Sequence, residues 1–252
     1  MATPAWTWIA ASERGTAHAR CSELRQDAFR VVTRRDRWLI ATVCDGAGSA
    51  SHGQQGALLA ARVLSSMAAS FVATNDALPD ADTAMGWLET ARAEIEAAAA
   101  LRETPVSTFA TTVVMAVTDG SDTLTVHIGD GAIVAREKSS LAWAALSWPE
   151  QGEYASTTFF LTDERLSSRI ARHSLALDRL VIMSDGLERL ALDFANEVPH
   201  AGFFEGICKG VADADRPGLD HDLSCKFQRY LGSDAITART DDDKTLIAAV
   251  LR

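Results

Sequence analysis

Four aspartates, each beside an apolar run, are spread over nearly the whole chain. Three end a β-type run and directly precede a glycine: WLIATVCDG, TLTVHIGDG and DRLVIMSDG contain Asp45, Asp130 and Asp185. The fourth, Asp242, opens the run DDDKTLIAAV. Because strand ends are rigid platforms, the turns beside them can aim several carboxylates into one cleft. Clustered carboxylates repel one another unless positive charge lies among them, so the pattern predicts a site for hard divalent cations.

Length and composition favour one large domain over residues 1–252 that buries a full core, since the 252 residues are 47% hydrophobic. The formal net charge is −10 and basic residues form no patch, which argues against a nucleic-acid partner. An acidic balance by itself can serve solubility alone. Part of the excess is local, at residues 241–243, and this concentration favours cation binding.

Cysteine usage and the apolar runs exclude several other classes. The four cysteines are far apart and form no C-x-x-C pair, so a zinc site, a redox motif and a disulfide framework are not expected. The first residues lack the basic and apolar regions of a signal peptide. Apolar runs fall short of the roughly 18 residues that span a bilayer. We therefore expect a cytoplasmic protein that does not contact membranes.

Hydrophobic periodicity predicts an α+β chain. Period-two and continuous apolar runs predict strands at residues 6–12, 28–33, 38–44, 109–118, 123–128, 132–137, 141–145, 158–161, 180–183 and 245–251. Helical spacing predicts a long helix after Gly53, a second over 83–102, and shorter ones over 202–212 and 219–230. Short turns join the strands between 109 and 145, which suggests an antiparallel meander. Strands grouped apart from helices indicate a layered α+β fold rather than alternating βα units.

Five sequence blocks carry a resemblance to a known family. RQDAF, CDGAGS, FATTVV, HIGDGAIV with IMSDGL, and DDDKT occur in this order between Asp27 and Thr245. The chain thereby resembles the metal-dependent protein phosphatases of the protein phosphatase 2C family, in their bacterial stand-alone branch. The resemblance implies a four-layer α-β-β-α sandwich with antiparallel central sheets, and metal ions between the loops at one end of the sandwich.

The resemblance also assigns roles to individual residues. It implies that Asp45 bridges two metal ions and that the backbone carbonyl of Gly46 ligates one of them. Asp185 and Asp242 would hold the first ion, and Asp27 would hold the second, directly or through water. These four aspartates are the predicted catalytic set.

Two further features follow from the same resemblance. Asp130 occupies a position that in bacterial members helps to bind a third, weaker ion, although a tight hairpin would also explain an aspartate there. Thr111 and Thr112 match a pair that supports the core near the site.

The implied chemistry suits these ligands, because oxygen donors bind Mn²⁺ or Mg²⁺. Two such ions lower the pKa of a bridging water, and the resulting hydroxide attacks phosphorus in line, so no protein nucleophile is required. We therefore expect hydrolysis of phosphoserine and phosphothreonine in a phosphoprotein substrate. We expect the enzyme to reverse the action of a cognate Ser/Thr kinase in bacterial signalling. We expect it to be a monomer.

The sequence departs from the family pattern beside Asp27. Gln26 stands where an acidic residue is usual, which removes one negative ligand from the second metal site. Ser22 stands where many members carry a phosphate-binding arginine. Arg25, which would share a face of an extended chain with Asp27, and the nearby Arg20 are the candidates to bind the substrate phosphate.

Two more departures concern later blocks. Ala47 replaces the histidine that eukaryotic members place after the first Asp-Gly, and Asp243 replaces the asparagine usual after the last metal aspartate. Asp241 and Asp243 are expected to be solvated acids or to lie behind the ligands. The alternation of His127 with its neighbours places it on the less buried face of its strand.

Other interpretations stay open at this point. Each aspartate singly could be a turn-former, since aspartate is common before glycine. The main alternative function is a catalytically weak or inactive phosphatase fold that serves as a binding or regulatory module, and Gln26 and Ser22 give it some support. Another is a phosphatase that acts on a small phosphorylated metabolite.

Overall fold

Apolar runs of the sequence form the strands of this protein. The computed structural model describes residues 5–150 and 158–252. In chain order, the strands β1 to β13 within these residues are Trp6–Glu13, Ala28–Arg34, Trp38–Cys44, Val113–Thr118, Thr123–Ile128, Ala132–Glu137, Trp143–Ser147, Arg169–His173, Leu177–Met183, Leu192–Asp193, Val198–Pro199, Gly218–Leu219 and Lys244–Leu251.

Segments with helical spacing of apolar residues form the helices of the outer layers. The helices α1 to α7 are Thr16–Arg20, Gly53–Asn75, Ala81–Leu101, Glu188–Ala191, Ala201–Ala212, His221–Leu231 and Asp234–Thr237. Asp80 caps α3, because its side chain accepts a hydrogen bond from the Thr83 amide at 2.8 Å. Two 3₁₀ turns, Val106–Phe109 and Asp185–Leu187, complete the described elements.

Two sheets pack face to face. One has the strand order β12-β1-β13-β9-β6-β7, and the other has the order β2-β3-β4-β5-β8. Ladders within them are antiparallel, except that the two-residue β12 pairs with β1 in parallel. A buried apolar layer that includes Leu39, Val43, Ile182 and Ile247 lies between the sheets.

Helices cover the outer face of each sheet. α2 and α3 pack on the second sheet, where Leu64, Leu88 and Ile95 join its side chains in one core. α5 and α6 pack on the first sheet, where Phe204 and Phe227 are part of another core. The predicted four-layer α-β-β-α sandwich is therefore confirmed.

The structure corrects several predictions of local structure. Strand β4 begins at Val113, because residues 106–109 form the 3₁₀ turn instead. Residues 158–161 form no strand, although the predicted strand lay there. The predicted meander is also wrong, since β5 pairs with β4 in one sheet while β6 pairs with β9 in the other. The turn at residues 129–131 therefore crosses between sheets instead of closing a hairpin.

Helix α2 is one helix in the described chain that is long and apolar enough to cross a membrane by length and composition. This corrects the expectation that apolar stretches are too short. Half of its apolar window is buried, and the helix packs on β2, β3 and α3. Its apolar side chains are therefore explained by packing in the core of the sandwich.

Candidate metal centre

Strand pairing brings the predicted aspartates to one end of the sandwich. Ala28 is paired with Cys44 across β2 and β3, so Asp27 and Asp45 lie next to each other where the two strands begin and end. In the other sheet, Leu246 pairs with Met183, which places Asp185 and Asp242 beyond the same end of β9 and β13. Asp130 lies in the crossover from β5 to β6.

These residues surround a cleft of about 320 Å³. Its walls are formed by the first Asp-Gly loop, the crossover turn and the loops beside β9 and β13. The lining residues are His18, Asp45, Gly46, Ala47, Gly48, Ser49, Thr112, Asp130, Thr158, Phe160, Asp185 and Asp242. Asp27 lies behind them, with only 1% of its surface exposed.

The backbone of Asp45 is held by the two threonines of the FATTVV block. The Asp45 amide donates to Thr112 Oγ1 at 3.0 Å, and the Asp45 carbonyl accepts from the Thr112 amide at 2.8 Å and from Thr111 Oγ1 at 3.0 Å. Gly46 forms an isolated bridge with Thr111. These bonds fix the loop, so the carboxylate of Asp45 projects from a rigid base into the cleft.

The electrostatics of the cluster are unfavourable without a cation. Burial raises the pKa of Asp45 well above its usual range, and the neighbouring charges of Asp27 and Asp185 raise it further. Burial likewise raises the pKa of Asp185, with added repulsion from Asp130 and Asp242. The pKa of Asp27 rises to about 6, chiefly through burial. The cluster therefore has a strong preference for positive charge.

The donor set fits a hard divalent cation. Oδ1 of Asp27 and Oδ1 of Asp185 are buried and have no hydrogen-bond partner within the described residues. A buried, unpartnered carboxylate oxygen is costly unless something positive contacts it. Within residues 5–150 and 158–252, no three acidic, histidine or cysteine side chains already converge as a finished ligand set. The aspartates thus supply oxygen ligands around one cleft, and Asp45 is close to both Asp27 and Asp185.

Asp27 and Asp130 each have a supporting contact. Ser184 Oγ donates to Asp27 Oδ2 at 2.8 Å, and the same hydroxyl accepts from the Thr245 amide at 3.0 Å. Thr158 Oγ1 donates to Asp130 Oδ2 at 2.6 Å. Burial raises the pKa of Asp130 as well.

His127 supports the crossover turn from behind and corrects the sequence prediction for this residue. Its side chain is fully buried, not on the less buried face. Nε2 lies 3.1 Å from the Asp130 carbonyl and Nδ1 lies 2.6 Å from Ser147 Oγ. Burial lowers the pKa of His127 to about 3, with the Arg169 charge in support, so the ring stays neutral. The alternation rule failed because both faces of β5 are covered in a sandwich.

Asp243 lies behind the ligands, which is one of the two positions expected for it, and it accepts hydrogen bonds from several segments. It is 1% exposed, whereas Asp241 is on the surface. Its two oxygens accept the amides of Gly15 and Gln26 at 2.6 Å each, and Oδ1 lies 3.0 Å from His18 Nδ1. Asp243 therefore ties three segments together beside Asp242. His18 lines the cleft through this contact, and nothing in its sequence spacing indicated that.

The two arginines predicted to bind substrate phosphate do not line the cleft. Arg25 donates to the carbonyls of Ser12 and Asp27, at 2.9 and 3.2 Å. Arg20 is exposed and pairs with Asp241 at 2.9 Å. Arg25 does not reach the cleft, because its guanidinium folds back onto the backbone and ties β1 to the start of β2.

Gln26 faces the first Asp-Gly loop. In the amide orientation that satisfies its neighbours, its nitrogen donates to the carbonyls of Ala47 and Gly46, at 2.8 and 3.0 Å. A glutamate could not make these bonds, because it has no donor when ionised. Gln26 thus stabilises the loop by hydrogen bonds where an acid would have added negative charge.

Comparisons with known proteins agree with this architecture. The model of the protein phosphatase 2C family matches residues 14–228. Serine/threonine-protein phosphatase 3 of Escherichia coli (strain K12) is 33% identical over 256 residues, which cover 97% of this chain and 98% of that protein.

Solved structures share the fold at low sequence identity. PppA, a key regulatory component of T6SS in Pseudomonas aeruginosa, has a TM-score of 0.67 at 15% identity, and 98% of each chain is covered. RsbX in complex with magnesium has a TM-score of 0.56 at 14% identity, covering 98% of this chain and 96% of that chain. The family match and the E. coli relative together show that this chain belongs to the protein phosphatase 2C family.

Proposed function

We propose that this phosphatase hydrolyses phosphoserine and phosphothreonine in protein substrates, with two divalent cations held by the aspartate cluster. The observation that carries the proposal is the group of one buried and three half-buried aspartates at one end of the sandwich, Asp27, Asp45, Asp185 and Asp242, with two carboxylate oxygens that lack partners among the described residues. The family is metal-dependent, and the donors are the oxygen ligands that Mn²⁺ and Mg²⁺ prefer.

The ligand assignment is the one that the family resemblance implies. Asp185 and Asp242 would hold the first ion, Asp27 the second, and Asp45 would lie between the two with the carbonyl of Gly46 as a further donor. The unpartnered oxygens of Asp27 and Asp185 and the raised pKa values of Asp45 and Asp185 support cation binding by this set. Asp130, which also lines the cleft, would contribute to a third and weaker site. Mn²⁺ or Mg²⁺ fits these oxygens, and RsbX, which shares the fold, binds magnesium.

Two such ions, when bound, activate a water molecule and offset the charge of the phosphate oxygens. The chain's own contribution is positioning. Thr111 and Thr112 hold the backbone of Asp45, and Ser184 holds one oxygen of Asp27. Asp243 keeps Gly15 and Gln26 in place next to the cluster. Because these supports are buried, the carboxylates stay in place when substrate binds.

The substrate class is proposed from the relatives. The E. coli protein carries the name of a serine/threonine-protein phosphatase, and its alignment covers almost the whole of both chains. We infer a phosphoprotein substrate and a cognate Ser/Thr kinase that opposes this enzyme in bacterial signalling. A cytoplasmic location and a monomeric state stay predictions from the sequence.

The test is hydrolysis of p-nitrophenyl phosphate and of a phosphoserine peptide, with Mn²⁺ and with a chelator. Asp185→Asn is compared with Asp193→Asn, a matched change at an acid outside the cleft. We expect metal-dependent turnover that is kept in Asp193→Asn and lost in Asp185→Asn. The expected loss of kcat is at least a factor of about 100, because removing one preorganised electrostatic contact from an active site costs that much. Full activity of folded Asp185→Asn would overturn the assignment.

The same assay tests the metabolite alternative. Higher kcat/KM on sugar phosphates than on the phosphopeptide would move the substrate class from proteins to small molecules.

A further inference from the structure

A second and larger cavity adjoins the metal centre. It has a volume of about 570 Å³ and shares Asp130, Thr158, Asp185 and Asp242 with the smaller cleft. The remaining wall residues follow Asp185 or precede Asp242, and they are Gly186, Glu188, Arg189, Leu190, Phe194 and residues 239–241. A substrate whose phosphate lies at the metal centre would therefore extend into this cavity, which we call the side cavity.

Two arginines line the side cavity. Arg189 comes from the wall after Asp185, and Arg239 comes from the wall before Asp242. Both residues are exposed. Across residues 5–150 and 158–252, neither guanidinium takes part in an ion pair or a side-chain hydrogen bond, whereas the nearby Arg20 is paired with Asp241. Arginine's fork of donors binds carboxylate and phosphate groups in pairs of hydrogen bonds.

The acidic residues around the side cavity are already engaged. Asp130, Asp185 and Asp242 belong to the metal centre proposed above. Glu188 is buried, and its carboxylate accepts the Gly131 amide at 2.7 Å. Asp241 has Arg20 as its partner. Arg189 and Arg239 are therefore the cationic side chains that line the side cavity, beside acids that belong to the metal centre or already have a partner.

The side cavity also has an apolar strip. Leu190 and Phe194 line it, and Phe194 packs edge-on against Trp148, with ring centroids 5.5 Å apart. Phe194 is 38% exposed, so part of its ring is open to a ligand in the side cavity. A free phosphate ion would not use this strip, whereas a peptide segment with one anionic side chain would contact both the strip and the arginines.

From this arrangement we infer that the side cavity binds the stretch of substrate next to the phosphorylated residue, and that Arg189 and Arg239 bind an anionic side chain there. That side chain is a carboxylate or a second phosphate. The inference rests on the proposed function and narrows it to phosphoproteins that are acidic, or phosphorylated again, beside the hydrolysed site.

The test compares kcat/KM for three phosphoserine peptides that differ only beside the phosphoserine. One carries glutamates, one carries glutamines and one carries a second phosphoserine. We expect the unaltered protein to prefer each anionic peptide over the glutamine peptide by about tenfold or more, since charge-assisted hydrogen bonds contribute at that level. The two anionic peptides distinguish a carboxylate from a second phosphate as the preferred ligand.

The variant that tests the site is Arg189→Gln with Arg239→Gln. Its matched control is Arg62→Gln with Arg229→Gln, which removes the same charge from exposed arginines on α2 and α6, away from the cavity. We expect the preference to fall to about one in the first variant and to persist in the control. A double lysine variant, Arg189→Lys with Arg239→Lys, should keep part of the preference because it keeps the charge.

The outcomes separate this inference from the proposed function. Equal rates on all peptides by the unaltered protein, or equal loss of preference in the control variant, would overturn the arginine site. If the unaltered protein also fails to hydrolyse p-nitrophenyl phosphate with Mn²⁺, the proposed function itself fails. Turnover of that small substrate without any peptide preference would leave the function standing and remove the side cavity from substrate recognition.

Discussion

At the scale of single residues, the buried carboxylates destabilise the metal-free protein. Oδ1 of Asp185 is buried without a partner among the described residues, and burial with neighbouring charge raises the pKa of this carboxyl. Such groups persist in a fold when a function requires them. Stability and activity are therefore opposed at this position, and a single substitution can separate them.

Asp185→Asn should stabilise the metal-free protein while it abolishes metal-dependent turnover. Removing one charge from the cluster relieves repulsion, and an increase of about 1 kcal/mol in the free energy of unfolding is expected. Urea unfolding in the presence of a chelator measures it. A loss of stability in the metal-free variant would show that Asp185 has a structural role instead.

Asp243 is expected to behave in the opposite way. In Asp243→Asn, the side-chain amide can accept only one of the two backbone amides, from Gly15 and Gln26, that the carboxylate accepts at 2.6 Å. One buried amide loses its partner, which costs about 1–3 kcal/mol of unfolding free energy. The control is Asp241→Asn, at an exposed neighbour, where the change should stay within about 0.5 kcal/mol. Equal stability of the two variants would contradict the structural role of Asp243.

At the scale of elements, the structure shows where sequence patterns suffice. β5 and β6 match the predicted ranges because short turns at both ends bound each apolar run. β8 was missed, since RIARH has no clear alternation and its pairing with β5 supplies the stabilisation. The separation of β5 from β6 into two sheets could not be read from turn length, because a Gly-Asp-Gly turn suits a hairpin and a crossover equally well.

Gly56 lies where α2 packs closely against the 3₁₀ turn Val106–Phe109. A side-chain carbon at Gly56 would lie 2.0 Å from the carbonyl oxygen of Phe109, the last residue of the 3₁₀ turn that precedes β4. At Gly86 in α3, the same carbon would meet nothing within 4 Å. The absence of a side chain at Gly56 therefore lets α2 approach the segment that supports Asp45.

Gly56→Ala and Gly86→Ala should therefore have opposite effects. Gly56→Ala should lower the free energy of unfolding by about 1–3 kcal/mol through overpacking. Gly86→Ala should raise it by about 0.5–1 kcal/mol, because alanine favours helix more than glycine does. Chemical denaturation of both proteins measures the difference. An unchanged or raised stability of Gly56→Ala would contradict the close approach of α2 to the 3₁₀ turn.

At the scale of the whole molecule, the candidate site depends on both sheets at once. Asp27 and Asp45 come from one sheet, while Asp185 and Asp242 come from the other. The sequence could nominate these aspartates, because each ends or begins an apolar run and the family blocks occur in order. It could not place His18, Asp243 or the side-cavity arginines, because their contacts join segments that are distant along the chain. The exposed pairing of Arg20 with Asp241 likewise joins distant segments, whereas Arg25 contacts backbone near its own position.

Stabilisation by Mn²⁺ should depend on pH. The pKa of Asp27 in the folded protein is about 6, above its ordinary value, so its contribution to stability is full below that ordinary value and is lost as pH rises through 6. Repulsion in the metal-free cluster is then greatest at neutral pH, where bound cations relieve it, whereas protons compete with metal in acid. The rise in Tm with Mn²⁺ should therefore be larger at pH 7 than at pH 5.

The comparison with and without metal at each pH is needed because His127 acts in the opposite direction. Burial lowers the pKa of His127 to about 3, so its contribution is present above the ordinary histidine value and is lost as pH falls. This contribution is equal in the two samples and cancels. An equal shift of Tm at both pH values would contradict a site made of ionised aspartates.

Calorimetric titration of the metal-free protein with Mn²⁺ tests the central claim most directly. The account predicts uptake of about two ions per chain at neutral pH, with loss of that uptake in Asp45→Asn, whose carboxylate lies between the other aspartates. A folded protein that takes up no Mn²⁺ would contradict the account. The chain would then be a phosphatase fold used as a binding or regulatory module.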